Sequence, residues 1–403
     1  MDNKDKIDEE DQRAVENFRE YLRIPSVHPD VNYEPCVSFL TKQANSLGLP
    51  LQTYIVAPQK PVVVITWTGS QPELQSLLLN SHMDVVPVFP EKWTHSPFSA
   101  DKDQSGNIYA RGAQDMKCVG IQYLEAVRKL IKAGKRLKRT IHISFVPDEE
   151  IGGLLGMALF IKTEDFKKLN IGCALDEGIA SPDDSFLLYY GERSIWQLVI
   201  HCPGTPGHGS LLLDNTAGEK LNIVIEKFMA RRAEEKKKLK DNPELTIGDV
   251  TTINLTMISG GVQTNVLPPE LKVVFDCRLS IDTDHDEFLA WAKDVCQQAG
   301  NDIWIEYEQK QPKVPITKLD STNLWWAPFQ SAVNAMGLKL KPNIFPGGTD
   351  SRYIRDVGIP AFGFSPMNNT PVLLHDHDEF LNEKVFIRGI NIYTQLIIAL
   401  ANV

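Results

Sequence analysis

No stretch of the chain approaches the roughly 20 consecutive apolar residues needed to cross a bilayer. The best candidate, Ile390–Val403, is too short and carries Asn391, Tyr393, Thr394 and Gln395, so it reads as a C-terminal helix. The opening MDNKDKIDEEDQ is acidic and has no apolar core, so no secretory signal is expected. Positive charge is in deficit: 42 Lys and Arg face 52 Asp and Glu, a formal net charge of −10. That balance argues against a nucleic-acid backbone as the main partner, because such binding is driven by basic surface. The basic run Arg231, Arg232 and Lys236–Lys240 is interrupted by Glu234 and Glu235 and reads as a solvated helix end. Cysteine is sparse. Cys36, Cys118, Cys173, Cys202, Cys277 and Cys296 are dispersed, without a Cys-x-x-Cys pair. That is the pattern of reduced, buried thiols in a cytoplasmic protein, and it leaves thiolates out of any metal site.

What the chain does have is a scattered set of metal-binding groups. His82-Met83-Asp84 closes the apolar run Leu77–Leu79, and the set continues with Asp115, Glu149-Glu150, Glu177 and His375. In a strand, residues i and i+2 face the same side, so His82 and Asp84 can project together, one toward a metal while the other steadies the imidazole. Each piece alone has a plainer reading. A His-x-Asp pair can be a satisfied polar pair, and Asp-Glu-Glu before Gly152-Gly153 can be a helix start with acids at its dipole. Asp376, Asp378 and Glu379 can be a solvated turn, with His377 on the surface. The shared context decides against these: LLLNSHMD, TIHISFVPDEE, IGCALDEG and PVLLHDHD each run from apolar residues into acids or His. In open α/β sheets, ligands bind outside the carboxyl ends of the strands. A metal-dependent hydrolase is expected.

At 403 residues the chain is expected to form two domains. Helical spacing at Val15–Leu22 and Val37–Leu47, a hairpin Leu51–Trp67, and strands at Leu77–Leu79, Thr140–Val146 and Ile171–Leu175 predict an α/β fold with a mixed sheet. Helices are expected at Met116–Ile131 and Met157–Ile161. Near residue 190 the pattern changes to β-α-β-β-α-β: Ser194–His201, Thr216–Arg232, Val250–Ile258, Lys272–Leu279, Asp286–Gln298 and Ile303–Glu308. That is the order of a ferredoxin-like α+β unit. It predicts a domain at 191–311 inserted into a discontinuous catalytic domain of 1–190 and 312–403. No metal-ligand cluster falls inside the insert. The core pattern then resumes with a helix around Leu324–Ala335, a turn at Gly347-Gly348 and a strand Ala361–Phe364.

The motifs NSHMDVVP, YARGAQDMKC, FVPDEE, ALDEG, GTPGHGS, GGVQTNVLP, GGTDSRYIR and FSPMNNTPVLLHDHDE span nearly the whole chain. In them the sequence resembles the co-catalytic zinc aminoacylases and carboxypeptidases. The resemblance implies two Zn²⁺ per chain, His82, Asp115 and Glu177 on one and Asp115, Glu150 and His375 on the other. Asp115 would bridge, Asp84 would be the partner of His82, and Glu149 the general base; spacing alone does not choose between Glu149 and Glu150. Three carboxylates and two neutral imidazoles set −3 against +4, so such a site keeps Lewis acidity. The resemblance also makes the insert a dimerisation and lid domain of a homodimer. His208 would stabilise the oxyanion in the partner's site, Asn265 would reach the substrate there, and Arg278 would bind the substrate carboxylate with its planar fork. From residues alone, an isolated Gly-His-Gly favours a surface-loop His at 208, and Arg278 can equally be a structural ion-pair residue. Gly347-Gly348 would let backbone, Gly348 above all, approach the substrate, although an ordinary turn explains them as well. Arg352 is a weaker contact.

The expected reaction is hydrolysis of small N-acyl-L-amino acids, such as N-acetyl amino acids, without nucleic acid or membrane partners. A dipeptidase or carboxypeptidase of the same family is the alternative. A phosphoesterase would need cations near the metals, for which only Arg111 and Lys117 offer themselves. A non-catalytic scaffold predicts loss of a ligand or base, and none is lost.

Overall fold

The strands that carry the acids and His82 lie side by side. In the computed structural model, which describes residues 8–403, an eight-stranded sheet runs in the order Leu51–Ala57, Lys60–Trp67, Ile141–Val146, Ser76–His82, Ile171–Asp176, Ala361–Gly363, Ser185–Glu192, Lys339–Phe345. Ser76–His82 is parallel to both its neighbours, and Ala361–Gly363 is parallel to Ile171–Asp176. The first two strands form an antiparallel hairpin, so the sheet is mixed. Its central strands are buried on both faces, which is why they read as unbroken apolar runs. Val63, Ile65, Leu77, Leu79, Ile143 and Phe145 pack on one side with helices Glu9–Leu22, Glu34–Leu47, Lys117–Lys132 and Glu383–Ala401. Val62, Val64, Leu78 and Val146 pack on the other with Met157, Phe160, Phe166 and Ile354.

The described chain divides into two units. One holds residues up to Tyr190 with Pro315–Pro342 and Thr349–Val403; the other is Gly191–Val314 with Asn343–Gly348. The second unit contains a four-stranded antiparallel sheet ordered Thr252–Gly260, Glu270–Leu279, Ser194–Pro203, Trp304–Lys310. Helices Ala217–Asp241 and His285–Ala299 supply Val224, Phe228, Phe288 and Ala292 to its core. Within it the element order is the β-α-β-β-α-β of the sequence.

Several elements depart from the sequence reading. The helix expected to end at Arg232 runs to Asp241, so the basic run forms its last turns, with Arg231 lying over the Trp291 ring at 4.2 Å. Ser185–Glu192 and Lys339–Phe345 are strands that the sequence reading missed. The second contains Pro342 and sits at the sheet edge, where a missing N–H costs least. The C-terminal helix is Glu383–Ala401, earlier and longer than expected, and by length and hydropathy alone it would pass for a membrane span. Its apolar stripe, Phe386, Ile390, Tyr393, Ile397 and Leu400, is instead buried in the core.

Helix Lys117–Lys132 approaches the sheet through Gly120. A Cβ there would lie 2.7 Å from Phe145 Cε1 and 2.8 Å from Ser81 Oγ. Gly120→Val should therefore reduce the free energy of urea unfolding by about 1–3 kcal/mol, the usual cost of overpacking.

Candidate metal centre and its surroundings

Parallel strands deliver side chains to one end of the sheet. His82 ends its strand, Glu149-Glu150 follow Ile141–Val146 after a two-residue turn, and Glu177 follows Ile171–Asp176. Asp115 lies just before helix Lys117–Lys132, and His375 lies in the loop after Ala361–Gly363. The structure brings all six together. Asp115 is the centre: its Oδ1 is 3.0 Å from His82 Nε2 and its Oδ2 is 3.2 Å from His375 Nε2. Glu150 Oε2 lies 3.1 Å from the same His375 nitrogen, and Glu177 Oε2 lies 3.9 Å from His82 Nε2. Donor atoms of His82, Asp115 and Glu150 lie within 4.8 Å of one another, as do those of His82, Glu149 and Glu177. Geometry alone thus leaves Glu149 inside the donor set, beside the residues that the resemblance names.

The donor chemistry fits a cation. His82 Nδ1–H donates to the Asp84 carbonyl at 2.9 Å. In a neutral ring, Nε2 therefore presents a lone pair to the Asp115 carboxylate, and two acceptors face each other. Glu150 Oε1 and Glu177 Oε2 are buried without a hydrogen-bond partner. Without a metal, protons take the strain. Burial alone would lower the His82 pKa, but Asp115 and then Asp84 pull it well above its usual range. Asp115 and Glu150 raise His375 to about 10. Burial and the Asp115 charge push Glu150 up to about 7, and the same two causes raise Glu177 well above the carboxylate range. Glu149 is raised well too, by burial, against the pull of His82. Carboxylates and imidazoles crowded in this way are what divalent cations neutralise.

Asp84 holds its neighbours differently from the expectation. Its backbone carbonyl orients His82. Its carboxylate is turned away: Oδ1 accepts the Glu149 N–H at 3.2 Å, and Oδ2 accepts the Glu150 N–H at 3.0 Å.

Glu379 is the main residue that sequence reasoning missed. Placed in a supposed solvated turn, it is fully buried. Its carboxylate accepts from Arg111 Nη1 at 2.7 Å, Gln114 N at 2.6 Å, Gly112 N at 3.2 Å and Asp115 N at 3.3 Å. Arg111 also donates to the carbonyls of His375 and Asp376. One buried ion pair thus ties the Asp115 loop to the His375 loop. Arg111 is therefore committed, and Lys117 is buried with its ammonium on the carbonyls of Ile24 and Tyr21. Neither cation is available to a phosphate. Asp350, also missed, is buried with both carboxylate oxygens lacking a hydrogen-bond partner.

The remaining predicted residues, Arg352 apart, lie in the second unit. His208 and Asn265 are brought together on a short ribbon, where His208 pairs with Val266 and Gly209 N donates to the Asn265 carbonyl at 2.8 Å. His208 Nδ1 accepts from Ser210 N at 3.2 Å, so the neutral ring carries its hydrogen on Nε2. Arg278 pairs through Nε and Nη2 with Asp276, at 2.7 and 3.1 Å, which realises the structural reading and leaves Nη1 outside that pair. Gly348 closes the Asn343–Gly348 segment. Arg352, in the first unit, donates to the Gly152 carbonyl at 2.7 Å.

Residues 78–399 match the family model described as Peptidase family M20/M25/M40. The chain belongs to this family. Aminoacylase-1A of Rattus norvegicus is 52% identical over 395 residues, covering 98% of this chain and 97% of the relative. Aminoacylase-1 of Homo sapiens is 51% identical with the same coverage. Among solved structures, a dinuclear metal-binding M20 peptidase of Bacillus subtilis superposes with a TM-score of 0.70, at 16% identity, over 98% of this chain and 100% of that one. That last likeness is one of fold.

Glu379→Ala would leave Arg111 buried without its counter-charge. It should cost about 3–5 kcal/mol of stability in urea unfolding. Affinity for a divalent cation, read by chelator competition, should fall with it.

Proposed function

We propose that this chain hydrolyses N-acyl-L-amino acids, N-acetyl amino acids among them, to a carboxylate and a free L-amino acid, with two zinc ions per chain. The observation that carries the reading is Asp115, whose two carboxylate oxygens each meet a different imidazole, with Glu150 and Glu177 alongside. Aminoacylase-1 relatives at 51–52% identity over nearly the whole chain support the substrate class.

His82, Asp115 and Glu177 would hold one ion, and Asp115, Glu150 and His375 the other; imidazole and carboxylate donors without thiolate suit catalytic zinc. When bound, the ions supply Lewis acidity to the amide carbonyl and acidify water. Glu149 takes the proton from water and returns it to the leaving nitrogen. Asp84 fixes the backbone from which Glu149 and Glu150 project. Arg278 receives the substrate carboxylate, with Asp276 steadying one edge of its guanidinium, and Gly348 leaves room for substrate beside its backbone. The active unit is a homodimer in which His208 and Asn265 serve the partner's site. Ser210 supports the role of His208, because an Nδ1 that accepts leaves Nε2–H to donate to the oxyanion. All six cysteines are buried and unpaired, which suits a reducing cytoplasm.

A panel of N-acetyl amino acids and dipeptides on metal-loaded enzyme tests the substrate class. Faster turnover of N-acetyl amino acids is expected, and preference for dipeptides would move the assignment to a dipeptidase. On the better substrate, Glu149→Gln should lower kcat by roughly 10²–10⁴-fold with metal content intact, while Glu150→Ala should lose metal. Exchanged phenotypes would reverse the two roles.

The composite site is tested by complementation. His208→Ala and Glu149→Ala chains, each inactive alone, should regain activity when mixed under subunit exchange. One oxyanion donor is worth about 10²–10³ in kcat, so the recovery is large enough to measure. Proven heterodimers without recovery would confine His208 to its own chain.

A further inference from the structure

Asp84 is wholly buried, and its carboxylate holds the amides of both Glu149 and Glu150. Such a carboxylate does this only while its own rotamer is fixed. His82 does not fix it, since His82 Nδ1 is 3.8 Å from Asp84 Oδ1 and spends its hydrogen on the carbonyl. The side-chain donor is His28. Its Nε2–H meets Asp84 Oδ2 at 2.8 Å, and the residue is 8% exposed. The His28 backbone is anchored to the same strand end, because His28 N donates to the Val85 carbonyl at 3.1 Å and Val85 N to the Ser26 carbonyl at 2.9 Å. The ring therefore stands on a fixed base.

We propose that His28 is a positioning residue for the reaction: its hydrogen bond locks Asp84 so that both carboxylate oxygens hold the Glu149-Glu150 backbone in place. The assignment rests on the proposed roles of Glu149 as base and Glu150 as ligand. A second anchor reaches the same turn from its other side. Asp148, at a left-handed φ of 63°, donates its N–H to the Tyr33 hydroxyl at 3.0 Å, and that hydroxyl donates to Asp148 Oδ1 at 2.7 Å. The Lys60 ammonium lies 2.8 and 2.7 Å from the two Asp148 oxygens. Residue 148 is thus held independently of His28, and loss of the imidazole leaves the turn folded while freeing Asp84 to rotate. The consequence falls on residues 149 and 150, the two whose amides Asp84 carries.

The test compares His28→Ala with His28→Gln, whose amide keeps an N–H donor. Removing a group that supports a metal site in this indirect way typically costs about 10–100-fold in affinity or activity. His28→Ala should therefore lower kcat by about 10–100-fold with KM little changed, and lower zinc affinity by about tenfold or more in chelator competition. His28→Gln should restore both. The zinc measurement needs no substrate, so it decides the proposal even if wild-type enzyme fails to turn over N-acyl amino acids, an outcome that would sink the proposed function instead. Unchanged zinc affinity in His28→Ala, or equal losses in the Ala and Gln variants, would overturn the role. A fall in thermal stability alone, with kcat and zinc affinity intact, would mean that His28 is structural only.

Discussion

The buried Arg111–Glu379 pair is the interaction on which the site depends. The sheet brings His82, Glu149, Glu150 and Glu177 to one edge, because all four sit at or just beyond strand ends. Asp115 and His375 have no such guide; they lie on loops separated by 260 residues of chain. Glu379 takes three backbone N–H groups of the Asp115 loop, and Arg111 returns two bonds to the His375 loop. Burying two charges is expensive, and an apolar pair would often be as stable. An apolar pair has no directions, however, and could not set one loop's carboxylate against the other's imidazole. Asp148 and His375, at φ of 63° and 62°, occupy a backbone region that non-glycine residues seldom adopt. Strain of that kind persists only where surrounding bonds fix it, and it gathers at functional sites.

The same crowding sets how the metal-free chain responds to pH. Glu150 keeps its proton up to about 7 in the fold, against 4.5 in the unfolded chain. A carboxyl raised in this way takes stability away as pH climbs from 4.5 to 7. His375, raised from 6.5 to about 10, contributes stability below 6.5 that is lost as pH climbs toward 10. Both act in one direction, so the metal-free site weakens the fold as its protons leave. A divalent cation restores at neutral pH what those protons supply in acid, and binding is thereby coupled to folding.

Most of the sheet and the convergence of the candidate metal-binding groups could be read from the sequence, because strand ends and apolar runs are local signals. The hairpin Leu51–Trp67 forms as expected, and the strand that ends in His82 is central as the run Leu77–Leu79 implied. Lys339–Phe345 escaped because Lys339, Lys341 and Pro342 give an edge strand no apolar alternation. Glu379 escaped for a different reason. Its neighbour Asp378 does cap exposed Thr94, so the local sequence truly resembles a solvated turn. The partner that buries Glu379 is 268 residues away, and nothing nearby announces it. Tertiary polar networks of this kind carry no period. His28, Tyr33 and Lys60 were invisible on the same ground.

Asp84 shows how a correct residue can hold an unexpected bond. The His-x-Asp pattern implied carboxylate to imidazole, the familiar way to orient a metal-binding ring. Here the carbonyl of Asp84 performs that task, and a carbonyl serves equally well because it too can only accept, which fixes the tautomer. The carboxylate is thereby released to bind two amides from the neighbouring parallel strand's turn. One residue thus sets the imidazole on its own strand and the two glutamates on the next. An Asn at this position would keep the carbonyl bond to His82, since the backbone is unchanged. It would have only one side-chain oxygen to offer where the carboxylate offers two, so the two glutamate amides and His28 could no longer all be satisfied. Glu149 and Glu150 are coupled through that carboxylate, and the His82 imidazole is not.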